Sequence, residues 1–266
     1  MPGLPRLLVI AGSDSCGGAG IQADIKTAAA LRVYAMTAVT AITVQDTTAV
    51  HAIHAVPAAI VRDQIACCLR DIGADAIKIG MLGSAELIET VAETLESYAR
   101  DTPIVLDPVM AATSGEEFLD NDAVEVLKAR LIPLAAVLTP NMPEAKSLSG
   151  MFAAQNRFAH AEAMARALMA LGAGAVLIKG GHDTRPLVDD TLVWNGGVET
   201  YSFVRIETRH THGTGCTLAT AIACGLARGL SLPLAVGRAR EYLQRAIETA
   251  PGLGSGHGPL NHMHGQ

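Results

Sequence analysis

A mostly parallel α/β fold is what this sequence predicts, and three observations predict it. Short apolar runs stopped by turn residues alternate with amphipathic stretches of helical length. The runs are hydrophobic at nearly every position rather than at every second one, as in strands covered on both faces. Two late runs, 191–194 and 198–204, are joined by Asn195-Gly196-Gly197. That is a hairpin signal, and an antiparallel pair breaks the repeat of an eight-stranded barrel. An open, doubly wound sheet fits all three.

The elements follow in order. The run 7–11 is a buried strand stopped at Gly12-Ser13-Asp14, and a glycine-rich loop through Gly20 leads to a helix over 21–31. The loop glycines do not fall at the spacing of a dinucleotide fingerprint, so the loop reads as one that lets backbone approach a ligand closely. Then come a strand over 38–44 ending at Gln45-Asp46, a helix over 57–72, and a strand over 76–79. Ser84 caps a helix running to 100, with glutamates in its first turns. Strand 104–106 stops at Asp107-Pro108, and a helix covers 122–130. Strand 136–138 runs into Thr139-Pro140-Asn141, followed by helices over 143–148 and 159–171. Strand 176–178 ends at Lys179-Gly180-Gly181. After the hairpin, helices over 214–228 and 232–249 precede a glycine-rich tail. No composition shift or repeat marks a boundary, so residues 1–266 read as one domain.

Composition narrows the function. Half the residues are hydrophobic and 17% are charged, which excludes a disordered chain. A net charge of −6 with 3% aromatics gives nucleic acid neither a basic footprint nor stacking platforms. No leader pattern opens the chain and no run is long enough to span a bilayer, so a soluble, cytoplasmic protein with a small-molecule partner is expected. The five cysteines lack metal-ligand spacing. Cys67, Cys68 and Cys224 read as small core residues on helices.

In a parallel α/β sheet the ligand crevice lies beyond the carboxyl ends of the strands. The residues there are Asp14, Gln45, Met81, Asp107, Asn141 with Glu144, and Lys179. Two carboxylates and an amide suit Mg²⁺, which takes hard oxygen ligands. Lysine supplies a point charge for phosphates. Gln45 can donate to and accept from a heteroaromatic ring, with Met81 as an apolar wall. The octet 210–217 (HTHGTGCT) adds a glycine-rich helix start whose free N–H groups make an anion site. Cys216 lies in its first turn, where the helix dipole favours a thiolate.

The motifs AGSD (11–14), GGAGIQADIK (17–26), KIGMLG (78–83), DPVM (107–110), TPNMPE (139–144), KGGH (179–182) and THGTGCT (211–217) resemble the hydroxymethylpyrimidine/phosphomethylpyrimidine kinases of thiamine biosynthesis. The resemblance runs over nearly the whole chain. It implies a ribokinase-like three-layer α/β/α sandwich, ATP and Mg²⁺, a homodimer, and two successive phosphorylations of 4-amino-5-hydroxymethyl-2-methylpyrimidine. Gln45 then resembles the reader of the pyrimidine edge, with Gly12, Ala19, Met81 and Val109 lining that pocket. Lys179 resembles the phosphate-binding lysine, assisted by Thr211, Gly213, Thr214 and Gly215 of the anion hole. Asp107, Asn141 and Glu144 resemble the magnesium-side group. Cys216 stands where the wider superfamily usually has an aspartate base, so the thiol accepts the hydroxyl proton or merely positions the substrate. The chain departs from the family pattern at Ser15-Cys16, Asp46 and Thr113.

Other functions compete with this one. Pyridoxal kinase is the alternative within the kinases, since its substrate is also a substituted six-membered N-heterocycle. A non-catalytic ligand sensor would not need the lysine, the acids and the anion hole together. A cysteine-nucleophile hydrolase would need an elbow context that this sequence lacks.

Overall fold

Leu7, Leu8, Val9 and Ile10 have no exposed surface, because their strand, β1 (Arg6–Asp14), runs through the middle of a sheet packed on both faces. This computed structural model describes residues 3–111, 115–116, 118–151, 157–181 and 184–264. After β1 come α1 (Gly20–Ala30), β2 (Tyr34–Gln45), β3 (Val50–Ala55), α2 (Ala58–Asp71), β4 (Ala76–Ile79), α3 (Ala85–Tyr98), β5 (Ile104–Leu106) and α4 (Asn121–Val126). Then follow β6 (Val137–Leu138), α5 (Met142–Ser149), α6 (Arg157–Ala170), β7 (Ala175–Ile178), β8 (Leu187–Trp194), β9 (Gly197–Val204), α7 (Thr214–Ala227) and α8 (Leu232–Glu248).

Among the described residues the strands form one nine-stranded sheet in the order β3-β2-β1-β4-β5-β6-β7-β8-β9. It is parallel from β2 to β7, while β3, at one edge, and β8 and β9, at the other, pair antiparallel to their neighbours. Side chains of β1 alternate between two cores. Leu8 and Ile10 pack with residues of α2, α3 and α6, whereas Leu7, Val9 and Ala11 pack with residues of α1, α7 and α8. The result is the three-layer α/β/α sandwich. The chain leaves β1 for β2 on one side and later returns to β4 on the other, so the strand order reverses at β1 and a crevice opens beyond the carboxyl ends there. No helix among the described residues is long and apolar enough to cross a membrane.

Several expectations meet their structural counterpart within a residue or two. Ser84 Oγ accepts the Leu87 amide at 3.2 Å and caps α3. Others are corrected. β3 was not foreseen, because all but one of its residues are exposed and no burial pattern marks it. It is created by a turn built on Asp46, whose Oδ1 accepts from the Thr48 and Ala49 amides at 2.7 and 3.1 Å. Asp46 therefore shapes a turn, and hydrogen bonds hold its carboxyl well below the usual range. β8 begins at Leu187 rather than at 191. Its aspartates suggest a loop, yet Asp190 is buried in an ion pair with Arg240 at 3.0 Å and accepts the Gly180 amide at 2.6 Å. The helix over 122–130 is α4 only to Val126 and then a π-helical turn, Leu127–Leu131, before Pro133. The segment before the octet is irregular, and within the octet His212 forms a bridge with Pro259 of the tail. Cys67 is exposed, not core, and Cys68 is half-buried; Cys224 is buried. Thr113 and His182 lie outside the described residues.

Candidate active site

A cavity of about 750 Å³ opens at the carboxyl edge of the sheet, and every site residue singled out from the sequence lines it. The strands put them there. Gly12 sits at a register shift between β1 and β2, where a bulge turns the chain and Met81 comes close: a Cβ on Gly12 would stand 3.0 Å from Met81 Cε. Gln45 ends β2, and its backbone is tied to the glycine-rich loop by Ser15, whose Oγ accepts from Gln45 N at 2.9 Å and donates to Gln45 O at 2.8 Å. With Ala19 and Val109 these residues form the mostly apolar end of the cavity.

The other end is ionic. Lys179 follows β7, and a bridge between Asn141 and Lys179 sets the loops after β6 and β7 side by side. Lys179 Nζ lies 2.7 Å from Asp107 Oδ1 and 4.0 Å from Glu144 Oε2. Thr139 Oγ1 steadies Asp107 at 3.2 Å. Asn141 and Glu144 form a capping box on α5: Asn141 N donates to Glu144 Oε2 at 2.7 Å, and Glu144 N donates to Asn141 Oδ1 at 2.9 Å. Burial raises the Glu144 carboxyl, Lys179 opposes this and Asp107 adds to it, leaving the group near pKa 7. Burial works against the charge on Lys179, but Asp107 and Glu144 carry its pKa above the ordinary value.

Between the two ends stands the start of α7. Gly213 is its N-cap with φ of 84°, and a Cβ there would collide with the carbonyl oxygen of Gly18. Glycine alone lets the two loops touch. The first helical bond into the turn is Thr217 N to Gly213 O at 2.9 Å, so the Gly215 and Cys216 amides have no acceptor within the helix. A Cβ on Gly215 would stand 3.3 Å from Lys179 Nζ and 3.4 Å from Asp107 Oδ2, which brings helix start, lysine and carboxylate together. The thiolate expected at Cys216 is overturned. Burial pushes the thiol up, Asp24 and Asp107 add to this, and Lys78 and the Gly20 amide pull down without prevailing, leaving it near 11.

The family model described as phosphomethylpyrimidine kinase matches residues 14–261. The chain belongs to that family. A Streptomyces coelicolor hydroxymethylpyrimidine/phosphomethylpyrimidine kinase is 45% identical over 259 residues, covering 97% of this chain and 94% of the relative. The crystal structure of phosphomethylpyrimidine kinase from Clostridium difficile superposes with a TM-score of 0.80 at 39% identity, over 91% of this chain and 99% of that one. An ADP complex of Bacillus subtilis pyridoxal kinase gives 0.89 at 35% identity, over 98% of both chains.

Two features of this kinase were not read from the sequence. Lys78 and Asp24 form an ion pair of 2.8 Å with neither side chain exposed, and Thr220 Oγ1 donates to Asp24 at 2.6 Å. The signal was present as a charge inside the apolar strand AIKI, but its partner lies 54 residues away. Asp14 and His212, 198 residues apart, meet at 2.8 Å. Cys16 joins them, so that an oxygen, a sulfur and a nitrogen lie within 4.8 Å of one another. The Asp14 carboxylate is already taken up by other donors: Oδ2 accepts from the Gly18 and Ala19 amides at 3.0 and 2.8 Å, and Oδ1 from Cys16 N at 2.9 Å. The trio clasps the two loops together.

Proposed function

We propose that this kinase moves the γ-phosphoryl group of ATP onto the hydroxymethyl oxygen of 4-amino-5-hydroxymethyl-2-methylpyrimidine, and then phosphorylates the monophosphate to the diphosphate, in the cytoplasm. The observation that carries the reading is one cavity with Gln45 and an apolar wall at one end and the α7 start beside Lys179 at the other. A heterocycle at the first end would direct its hydroxymethyl group to the second. The names of the relatives support the same substrate.

Phosphoryl transfer asks mostly for positioning and charge neutralisation. In this reading Lys179 with Thr211, Gly213, Thr214 and Gly215 holds phosphate oxygens, and the Gly215 and Cys216 amides receive charge that develops on the moving group. Mg²⁺ fits the residues present. Asp107 and Glu144 offer hard oxygens, and Glu144, held near 7 by burial and by Asp107, is the kind of carboxyl that a dication would return to its charged form. Asp107, Asn141 and Glu144 would hold the ion, and it would supply neutralisation of phosphate charge.

Pyridoxal is the second reading, favoured by the close superposition on a pyridoxal kinase. Steady-state rates with both substrates separate them: a higher kcat/KM for pyridoxal reverses the assignment. A homodimer belongs to the same proposal. Ile42, Val44 and Ile53 of β2 and β3 are about half exposed at the sheet edge (50, 58 and 48%), which is apolar surface that a second copy would cover. Light scattering on the purified chain is expected to give twice the monomer mass, and a monomer at micromolar concentration would rule the dimer out.

A further inference from the structure

What Gln45 can offer a heterocycle depends on its neighbours, a question that rests on the function proposed above. Gln45 Oε1 lies 3.2 Å from the Thr43 hydroxyl, and its Nε2 lies 3.4 Å from Nε2 of His212. The hydrogens do not balance in that arrangement. Thr43 has one hydroxyl proton, and Ser13 O accepts it at 3.0 Å. Nε2 of His212 lies 2.8 Å from Oδ2 of Asp14, a carboxylate that already collects backbone amides, so Nε2 must carry a proton to bond it. Two N–H donors would then face each other. Rotating the Gln45 amide by half a turn removes both conflicts. Its Nε2 then donates to Thr43, which passes its own proton to Ser13, and its Oε1 faces the N–H of His212.

We propose that His212, held in its Nε2–H form by Asp14, is a positioning residue that fixes the orientation of the Gln45 amide and so makes the pocket select a heterocycle edge with a ring acceptor beside an amino donor. His212 is 5% exposed and lines the cavity. In this orientation Gln45 keeps one N–H and one oxygen lone pair for the ligand. A 4-aminopyrimidine edge satisfies both. Pyridoxal has no amino group to meet the oxygen, so the anchored amide binds it less well.

Steady-state kinetics of the full chain with ATP, Mg²⁺ and each substrate in turn test this on wild type, His212→Ala and Thr43→Val. The KM for the aminopyrimidine should rise about tenfold in both variants, roughly the worth of one lost hydrogen bond, with kcat little changed. The preference for the aminopyrimidine over pyridoxal should fall by about the same factor. A His212 that merely holds the loop would weaken both substrates alike, and an unchanged preference overturns the proposal. If His212→Ala does not fold, Thr43→Val and the ¹⁵N shift of His212 Nε2 in the wild type decide, and an unprotonated Nε2 is contrary evidence. Wild-type inactivity on both substrates overturns the functional reading together with this one, whereas wild-type activity with an unmoved preference overturns this one alone.

Discussion

At neutral pH a thiol pushed up to about 11 stays protonated, so in the proposed reaction Cys216 would meet the substrate hydroxyl as a neutral group. A loose phosphoryl-transfer transition state needs little help in removing that proton. Cys216→Ala should therefore lower kcat by about tenfold, below the range of a hundredfold or more that general base catalysis contributes. A loss of a thousandfold would return the base role to the cysteine. The His212–Asp14 pair predicts a pH dependence of stability. Burial opposes protonation of His212, but hydrogen bonds to Asp14 and Cys16 and the Asp14 charge raise it to about 9. Burial likewise opposes ionisation of Asp14, yet His212 and the Ala19 amide lower it. The histidine's contribution is then complete below its ordinary value of 6.5 and is lost as pH rises through about 9. That of Asp14 is present above 3.8 and is lost as pH falls through its depressed value. The difference in Tm between wild type and His212→Gln should be widest between these limits and shrink toward pH 9, and a difference that grows with pH would contradict the pairing. The dipole argument favoured a thiolate at Cys216 and the bare octet showed no partner for His212, because burial and a residue 198 positions away decide these matters.

Strand ends were the most legible part of this chain. Where an apolar run stops, the next polar side chain must leave the sheet at its carboxyl edge, so Asp107, Asn141 and Lys179 could be placed from their positions alone. Edge elements were not legible in that way. β3 has its residues in solvent and depends on the Asp46 turn, and the start of β8 hides behind two aspartates whose partners come from elsewhere in the chain. The Lys78–Asp24 pair shows the same limit at the level of packing, for it ties β4 to α1 and, through Thr220, to α7 beneath the site. Lys78→Met leaves Asp24 buried without its counter-charge and should cost about 3–5 kcal/mol in chemical denaturation. Pairing it with Asp24→Leu should recover most of that loss, since an apolar pair of similar volume replaces an ion pair well. A single variant within about 1 kcal/mol of wild type would mean that the pair carries no such strain.

For the whole molecule, the open sheet puts Gln45 with its apolar neighbours and Lys179 with the start of α7 on the same edge, because β1 is the point where strand order reverses; in the proposed reading the first takes the heterocycle and the second the phosphates. The loops after β1, β2 and β4, with Val109 after β5, supply the first, and those after β5, β6 and β7 with α7 supply the second. Membership of the phosphomethylpyrimidine kinase family rests on a match over residues 14–261, and the geometry gives that membership a physical account. The account stands or falls with the products. Incubating the chain with ATP, Mg²⁺ and 4-amino-5-hydroxymethyl-2-methylpyrimidine and weighing the products by mass spectrometry is the most direct test. It should reveal the monophosphate first and the diphosphate after it, and the absence of both would contradict the account.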